Sequence, residues 1–99
     1  MSAEIPTFDK TPDELLEYSV DWTEWLGLTD SINSSSWVFP STVPDTTLVD
    51  FENDLQEAVA SKWIGGGTLG RIYTVTNIIE TVEGRTASRS FRIYVVASR

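Results

Sequence analysis

Two long runs near the end of the chain, Arg71 to Val82 and Thr86 to Ala97, constrain this sequence more than any other feature in it. Both are dense in Ile, Val, Tyr, Phe and Thr, whose branched or planar side chains suit a pleated, half-buried surface. Only Glu83-Gly84-Arg85 separates them, a short glycine-containing link of the hairpin type. Several shorter strand-like runs with glycine and proline punctuation precede that hairpin, and together they point to two packed sheets or a barrel. At 99 residues the chain is one domain, able to bury roughly two thirds of its unfolded surface.

The earlier runs read as follows. Leu16, Tyr18, Val20 and Trp22 alternate with Glu17, Ser19, Asp21 and Thr23, the period of a half-buried strand. Thr11-Pro12-Asp13-Glu14 resembles a helix start, but Tyr, Val and Trp favour the strand. Trp25-Leu26-Gly27 reads as a corner that tucks two apolar residues beneath it. A second strand is expected from about Ile32 to Phe39, with Ser31, Asn33, Ser35, Trp37 and Phe39 on one face, and Pro40 stops it. Residues 41–55 read as a loop with one short edge strand. Glu57 to Ile64 is strand-like again until the run Gly65-Gly66-Gly67-Thr68-Leu69-Gly70 breaks it, since glycine accepts the positive φ of a tight corner.

Gly70-Arg71-Ile72-Tyr73-Thr74-Val75 sharpens the fold class. A glycine corner just before a Tyr that opens a strand is the layout of a tyrosine corner, in which the ring packs inward and the hydroxyl ties down the preceding loop. Tyr73, Val75 and Ile79 then face the core opposite Phe91, Ile93 and Val95, with Trp37 as the central buried aromatic. The expected fold is therefore an all-β, immunoglobulin-like β-sandwich over residues 15–99. Residues 1–14, with Pro6, Pro12 and mostly polar neighbours, read as an extended N-terminal arm with little core to hold it.

Composition excludes several functions. The sequence has no Cys and no His, so it offers no disulfide framework, no thiolate ligand or nucleophile, and none of the commonest general base or metal ligand. The net charge is −8, with 13 of the 15 acids and one of the seven bases lying at or before Glu57. That gradient either keeps the protein soluble or lets protomers dock through complementary fields. Net acidity argues against nucleic acid, because Arg71, Arg85, Arg89 and Arg92 are too spread to form a phosphate-binding patch. The N-terminus lacks the basic and apolar regions of a secretory signal and no stretch is long enough for a membrane span, so synthesis in a cytoplasm without export is expected.

Chemical motifs fail on spacing. Gly65 to Gly70 is followed by Arg71-Ile72 rather than the Lys-Ser/Thr of a phosphate loop. The acids Asp13, Glu14, Glu17, Asp21 and Glu24 have no matching second cluster, and Asp45, Asp50, Glu52 and Asp54 match no calcium loop. No catalytic, cofactor-binding or metal residue is assigned, and no cofactor is expected. Interaction residues are the better expectation: four Trp in so small a domain exceed what its core needs, and Trp is enriched at contact surfaces. The candidates are Trp63 beside the triple glycine, Trp25 at the corner, and Phe8 in the arm.

A family resemblance then appears. Phe8-Asp9-Lys10-Thr11-Pro12-Asp13-Glu14, Tyr18 with Val20-Asp21-Trp22 and Trp25-Leu26-Gly27, Ser36-Trp37, Trp63-Ile64-Gly65-Gly66-Gly67-Thr68 with Gly70, Tyr73, Val75 and Asn77, then Gly84-Arg85-Thr86 and Arg89-Ser90 resemble the small phage proteins called fiber-tail adaptors. The resemblance covers nearly the whole chain. Gly65-Gly66-Gly67 holds one glycine more than the family's simpler form. The resemblance implies a non-enzymatic virion protein with an Ig-like fold that connects a tail fibre to the tail or baseplate, oligomeric in the particle, with other virion proteins as partners and neither nucleic acid nor membrane among them. The alternatives are a capsid cement or head-tail joining protein, and a carbohydrate- or receptor-binding module on a fibre that stacks sugars on Trp rings.

Overall fold

In the computed structural model the backbone is described for residues 6–39 and 48–98, and side chains for the same residues except 48–54 and 56. Seven strands and one helical turn follow in order: β1 Thr7–Lys10, β2 Leu16–Asp21, α1 Thr23–Leu26, β3 Ile32–Val38, β4 Leu48–Gln56, β5 Val59–Gly66, β6 Ile72–Thr81 and β7 Thr86–Val95. They form a four-stranded sheet, β1-β7-β6-β3, and a three-stranded sheet, β2-β5-β4. The protein is an all-β sandwich. The β1–β7 pair is parallel and the other neighbours are antiparallel.

The closing hairpin behaves as its composition demands. Tyr73, Val75, Ile79, Phe91, Ile93 and Val95 are all buried, and together with Tyr18 and Ile64 from the facing sheet they account for most of the core. Inward residues of one sheet meet those of the other, as where the Tyr18 and Phe91 rings stack at 5.3 Å. The Tyr73 hydroxyl accepts a hydrogen bond from the Thr68 amide at 2.8 Å, tying the β5–β6 corner to the core. Tyr73→Phe removes that acceptor at little cost in shape, so urea unfolding should show a loss of about 1–3 kcal/mol. A midpoint equal to wild type would mean that water replaces the hydroxyl.

Several local expectations are corrected. Residues 7–10 lie in the segment expected as an arm, yet they form β1 on the edge of the larger sheet, with the Lys10 side chain fully buried; residues 1–5 lie outside the described part. Thr11 to Glu14 makes a single turn rather than starting a helix. The Glu14 amide reaches the Thr11 carbonyl at 3.2 Å, and the Thr11 amide donates to Glu14 Oε1 at 2.8 Å. The segment expected as mostly loop contains β4, nine residues long, because backbone pairing with β5 on both sides of a register shift between Asp50 and Asn53 overrides the low strand preference of its acids. Residues 41–47 of that segment lie outside the described part. The triple glycine does not end β5 at once. The strand runs through Gly65 to Gly66, and the backbone leaves it at Gly66 and Gly67, whose φ values of 71° and 102° a side chain would resist.

The expected alternation in β3 is also reset. A register shift between Ile32 and Ser34 puts Ile32 on the core side along with Trp37 and Phe39. Trp37 is only half-buried, its ring edge-on to Phe91 at 6.2 Å. The fully buried indole is Trp22, 1% exposed, which closes β2 and begins α1. Its Nε1 donates to Asn77 Oδ1 at 2.9 Å, so a polar pair bridges the two sheets inside the core.

Candidate functional site

The three residues expected to make contacts sit in three different places. Phe8, on β1, is 44% exposed and packs on Tyr18 at 5.7 Å and Phe91 at 5.8 Å. Trp25, on α1, is half-buried and edge-on to Trp22 at 5.5 Å. Trp63 is half-buried on β5, the middle strand of the smaller sheet, with Glu17 as its cross-strand partner. Because Ala60 and Ile64 pair with Val20 and Leu16 on the core side, strand alternation puts Trp63 on the outer face of that sheet.

Trp25 belongs to a charged brace at the hairpin end of the sandwich. The Arg85 guanidinium lies 4.2 Å over its ring, and Arg89 lies 4.4 Å over Trp22. Arg85 also forms an ion pair with Asp30 at 2.9 Å and donates to the Leu26 carbonyl at 3.1 Å. Asp30 accepts further from the Ser31 and Glu83 amides. Burial pushes its carboxyl up, but the hydrogen bonds from Thr81, Ser31, Arg85 and Glu83 outweigh that and hold it below the usual carboxylate range. The brace clamps the β6–β7 turn onto α1 and covers one face each of Trp22 and Trp25.

Phe8 opens onto something else. β1 and β2 are edge strands of opposite sheets, and an open groove of about 410 Å³ lies along them, lined by Phe8, Leu16, Glu17, Tyr18, Ser19 and Phe91. Its floor is aromatic and its lip, Glu17 and Ser19, is polar and exposed. Lys10 fixes the geometry: from β1 its ammonium donates to the Thr11 carbonyl at 2.8 Å and across to the Gly66 carbonyl at the end of β5. Burial lowers its pKa, against the opposing pull of Glu14 and Asp13. Sequence alternation already places Leu16 and Tyr18 on one face; that this face borders an open seam follows only from the strand order.

β2 carries Glu17 and Asp21 and β7 carries Arg89 and Arg92, and Arg89 reaches across to donate to the Asp21 carbonyl at 2.9 Å. Asp21 is held below the usual carboxylate range by the hydroxyl and amide of Thr23, so its charge persists on the β2 side. Among the described residues no group of three or more His, Cys, Asp or Glu is placed to hold a metal ion, and no helix is long and apolar enough to cross a membrane. The side chains of Asp50, Glu52 and Asp54, considered above for calcium, lie outside the described part, as does Asp45.

Compared with known proteins, residues 10–94 match the family model described as podophage GP4 fiber-tail adaptor protein gp77. No curated protein matches the chain.

Proposed function

This chain belongs to the podophage fiber-tail adaptor family, and from that premise we propose that it is a virion protein connecting a tail fibre to the tail or baseplate, present in several copies per particle. A structural, tail-associated role follows from the family itself; the proposal adds attachment to both fibre and tail, several copies, and no catalysis, nucleic-acid binding or membrane binding. Family membership over most of the chain carries it. Synthesis in the host cytoplasm accords with a sequence that lacks Cys.

We further read the sandwich as immunoglobulin-like. Taking β1 as strand A′ and β2 to β7 as B to G, the sheets become A′-G-F-C and B-E-D, the division between CFG and BED strands that defines such domains. The Tyr73 hydroxyl on the Thr68 amide supports the same reading, since a tyrosine corner belongs near the start of strand F.

The test is particle assembly without the gene. Particles made by the deletion phage should carry normal heads and tails but lack fibres, and the protein supplied in trans should restore both fibres and infectivity. Fibres retained on deletion particles, or density for the chain on the capsid, would sink the adaptor reading and favour a capsid cement.

A further inference from the structure

Among the described residues the sandwich has four edge strands, and three are blunted. β1 is four residues long and follows Pro6; β3 is interrupted by the shift between Ile32 and Ser34; β4 is interrupted by the shift between Asp50 and Asn53. Short strands, proline and bulges are the usual protections of a sheet edge against pairing with another chain. β2 has none of these three, although Arg89 of β7 donates to the carbonyl of its last residue, Asp21, at 2.9 Å. It pairs with β5 through six consecutive residues, Leu16 to Asp21, without a shift, and it contains neither Lys nor Pro.

The surroundings of that edge specify what can pair with it. On the core side lies the aromatic groove of Phe8, Tyr18 and Phe91; on the outer side stand Glu17 and Asp21, with Ser19 between them. Glu17 is the carboxylate in the middle of that edge; at its end Asp21 already faces Arg89, which donates to the Asp21 carbonyl at 2.9 Å, and Lys62 pairs with Tyr18 on the buried side. An added strand presents alternate side chains to the two sides. Its inward residues would enter an apolar groove and its outward residues would meet the Glu17 carboxylate. A second copy's β2 is disfavoured by like charge, as is its β4, which carries Asp50, Glu52 and Asp54.

Resting on the adaptor reading, we propose that β2 is the docking edge for an extended segment of another virion protein in which apolar residues alternate with Lys or Arg. The segment adds as a fourth strand to the β2-β5-β4 sheet. Main-chain hydrogen bonds to the edge from Leu16 to Val20 supply affinity, the groove selects apolar residues on one face, and Glu17 selects basic residues on the other.

A peptide titration of the isotope-labelled full chain tests this independently of particle location. The probe is a Gly-Ser-flanked peptide of alternating Val and Lys; its twin carries Glu in place of Lys. The basic peptide should shift and protect the amides of Leu16 to Val20 saturably, with weaker binding at higher salt, and the acidic twin should not bind. The variant E17K, altered at an exposed position, should melt as wild type and bind the basic peptide at least about tenfold more weakly. Unchanged amides in β2, or equal binding of both peptides, would overturn the proposal while leaving the adaptor reading intact. Deletion particles that keep their fibres would remove that reading whatever the peptides do.

Discussion

Trp22→Ala is expected to cost about 3–5 kcal/mol, the largest single loss available in this core, and Trp22→Phe about 2–4 kcal/mol, both measured by urea unfolding followed by circular dichroism. The indole is 1% exposed and stands where three interactions meet: its Nε1 donates to Asn77, Trp25 packs edge-on at 5.5 Å, and Arg89 lies over its face. Phe keeps most of the volume but removes the donor, leaving the Asn77 oxygen buried with the desolvation already incurred. Asn77 is itself fully buried, and its amide donates to Ser35 Oγ at 2.8 Å and the Ser36 carbonyl at 3.0 Å, so the pair locks β2 to β6 and β6 to β3. The double variant Trp22→Phe with Asn77→Leu should therefore lose less than the sum of the single variants, with a coupling of about 0.5–3 kcal/mol. Additive losses would show that the two side chains stabilise the sandwich independently. For a domain this size each kilocalorie moves Tm by about 4–8 °C, so Trp22→Ala should lower it by well over ten degrees on that scale.

The Trp22–Asn77 pair also shows where sequence reading stops. Alternation puts Tyr73, Val75, Asn77 and Ile79 on one face of β6, yet only the apolar three read as core, because a polar residue in an inward slot is uninterpretable until its partner is known. Trp22, one residue past β2, and Trp37, in β3, both continue the inward alternation of their segments, and periodicity does not reveal which is fully buried and which lies at the margin. The closing hairpin was legible almost residue by residue, since local composition and pairing agree there. β4 was not, because its acids argue against a strand and only the non-local ladder with β5 makes one. β1 was hidden by the same logic: a four-residue parallel strand next to proline has no local signature, and the ladder to β7 and the buried Lys10 create it. The candidate site inherits this division. Phe8, Trp25 and Trp63 could be picked out as aromatics outside the obvious core, but the groove that Phe8 lines and the brace that occupies Trp25 are products of strand order, which composition does not encode.

Lys10 turns that non-local placement into the second large effect. Lys10→Ala should cost about 2–4 kcal/mol, because it empties a fully buried position and leaves the Gly66 carbonyl without the ammonium that reaches it from the opposite sheet. Lys10→Met keeps the volume and isolates the charge. Because burial lowers the folded-state pKa of Lys10 below its ordinary 10.5, the unfolded chain holds that proton to higher pH than the folded one does. Between those two values unfolding takes up a proton, so the stability of the wild type rises with pH across the window up to about 10.5. Below the window the cost of burying the ammonium is present in full. Urea midpoints taken from pH 7 upward should therefore climb more steeply, or fall less steeply, for wild type than for Lys10→Met. Parallel curves would mean that water reaches the ammonium. The two variants also separate stability from assembly. If Lys10 holds β1 over β2, Lys10→Ala should speed amide exchange at Arg92 and Val96, whose amides donate to the Pro6 and Lys10 carbonyls on either end of β1, while the amides of the β6–β7 hairpin keep their protection. Phe8 then no longer closes one side of the groove, and the basic peptide should bind the Lys10→Ala chain more weakly even though every residue of β2 is unchanged.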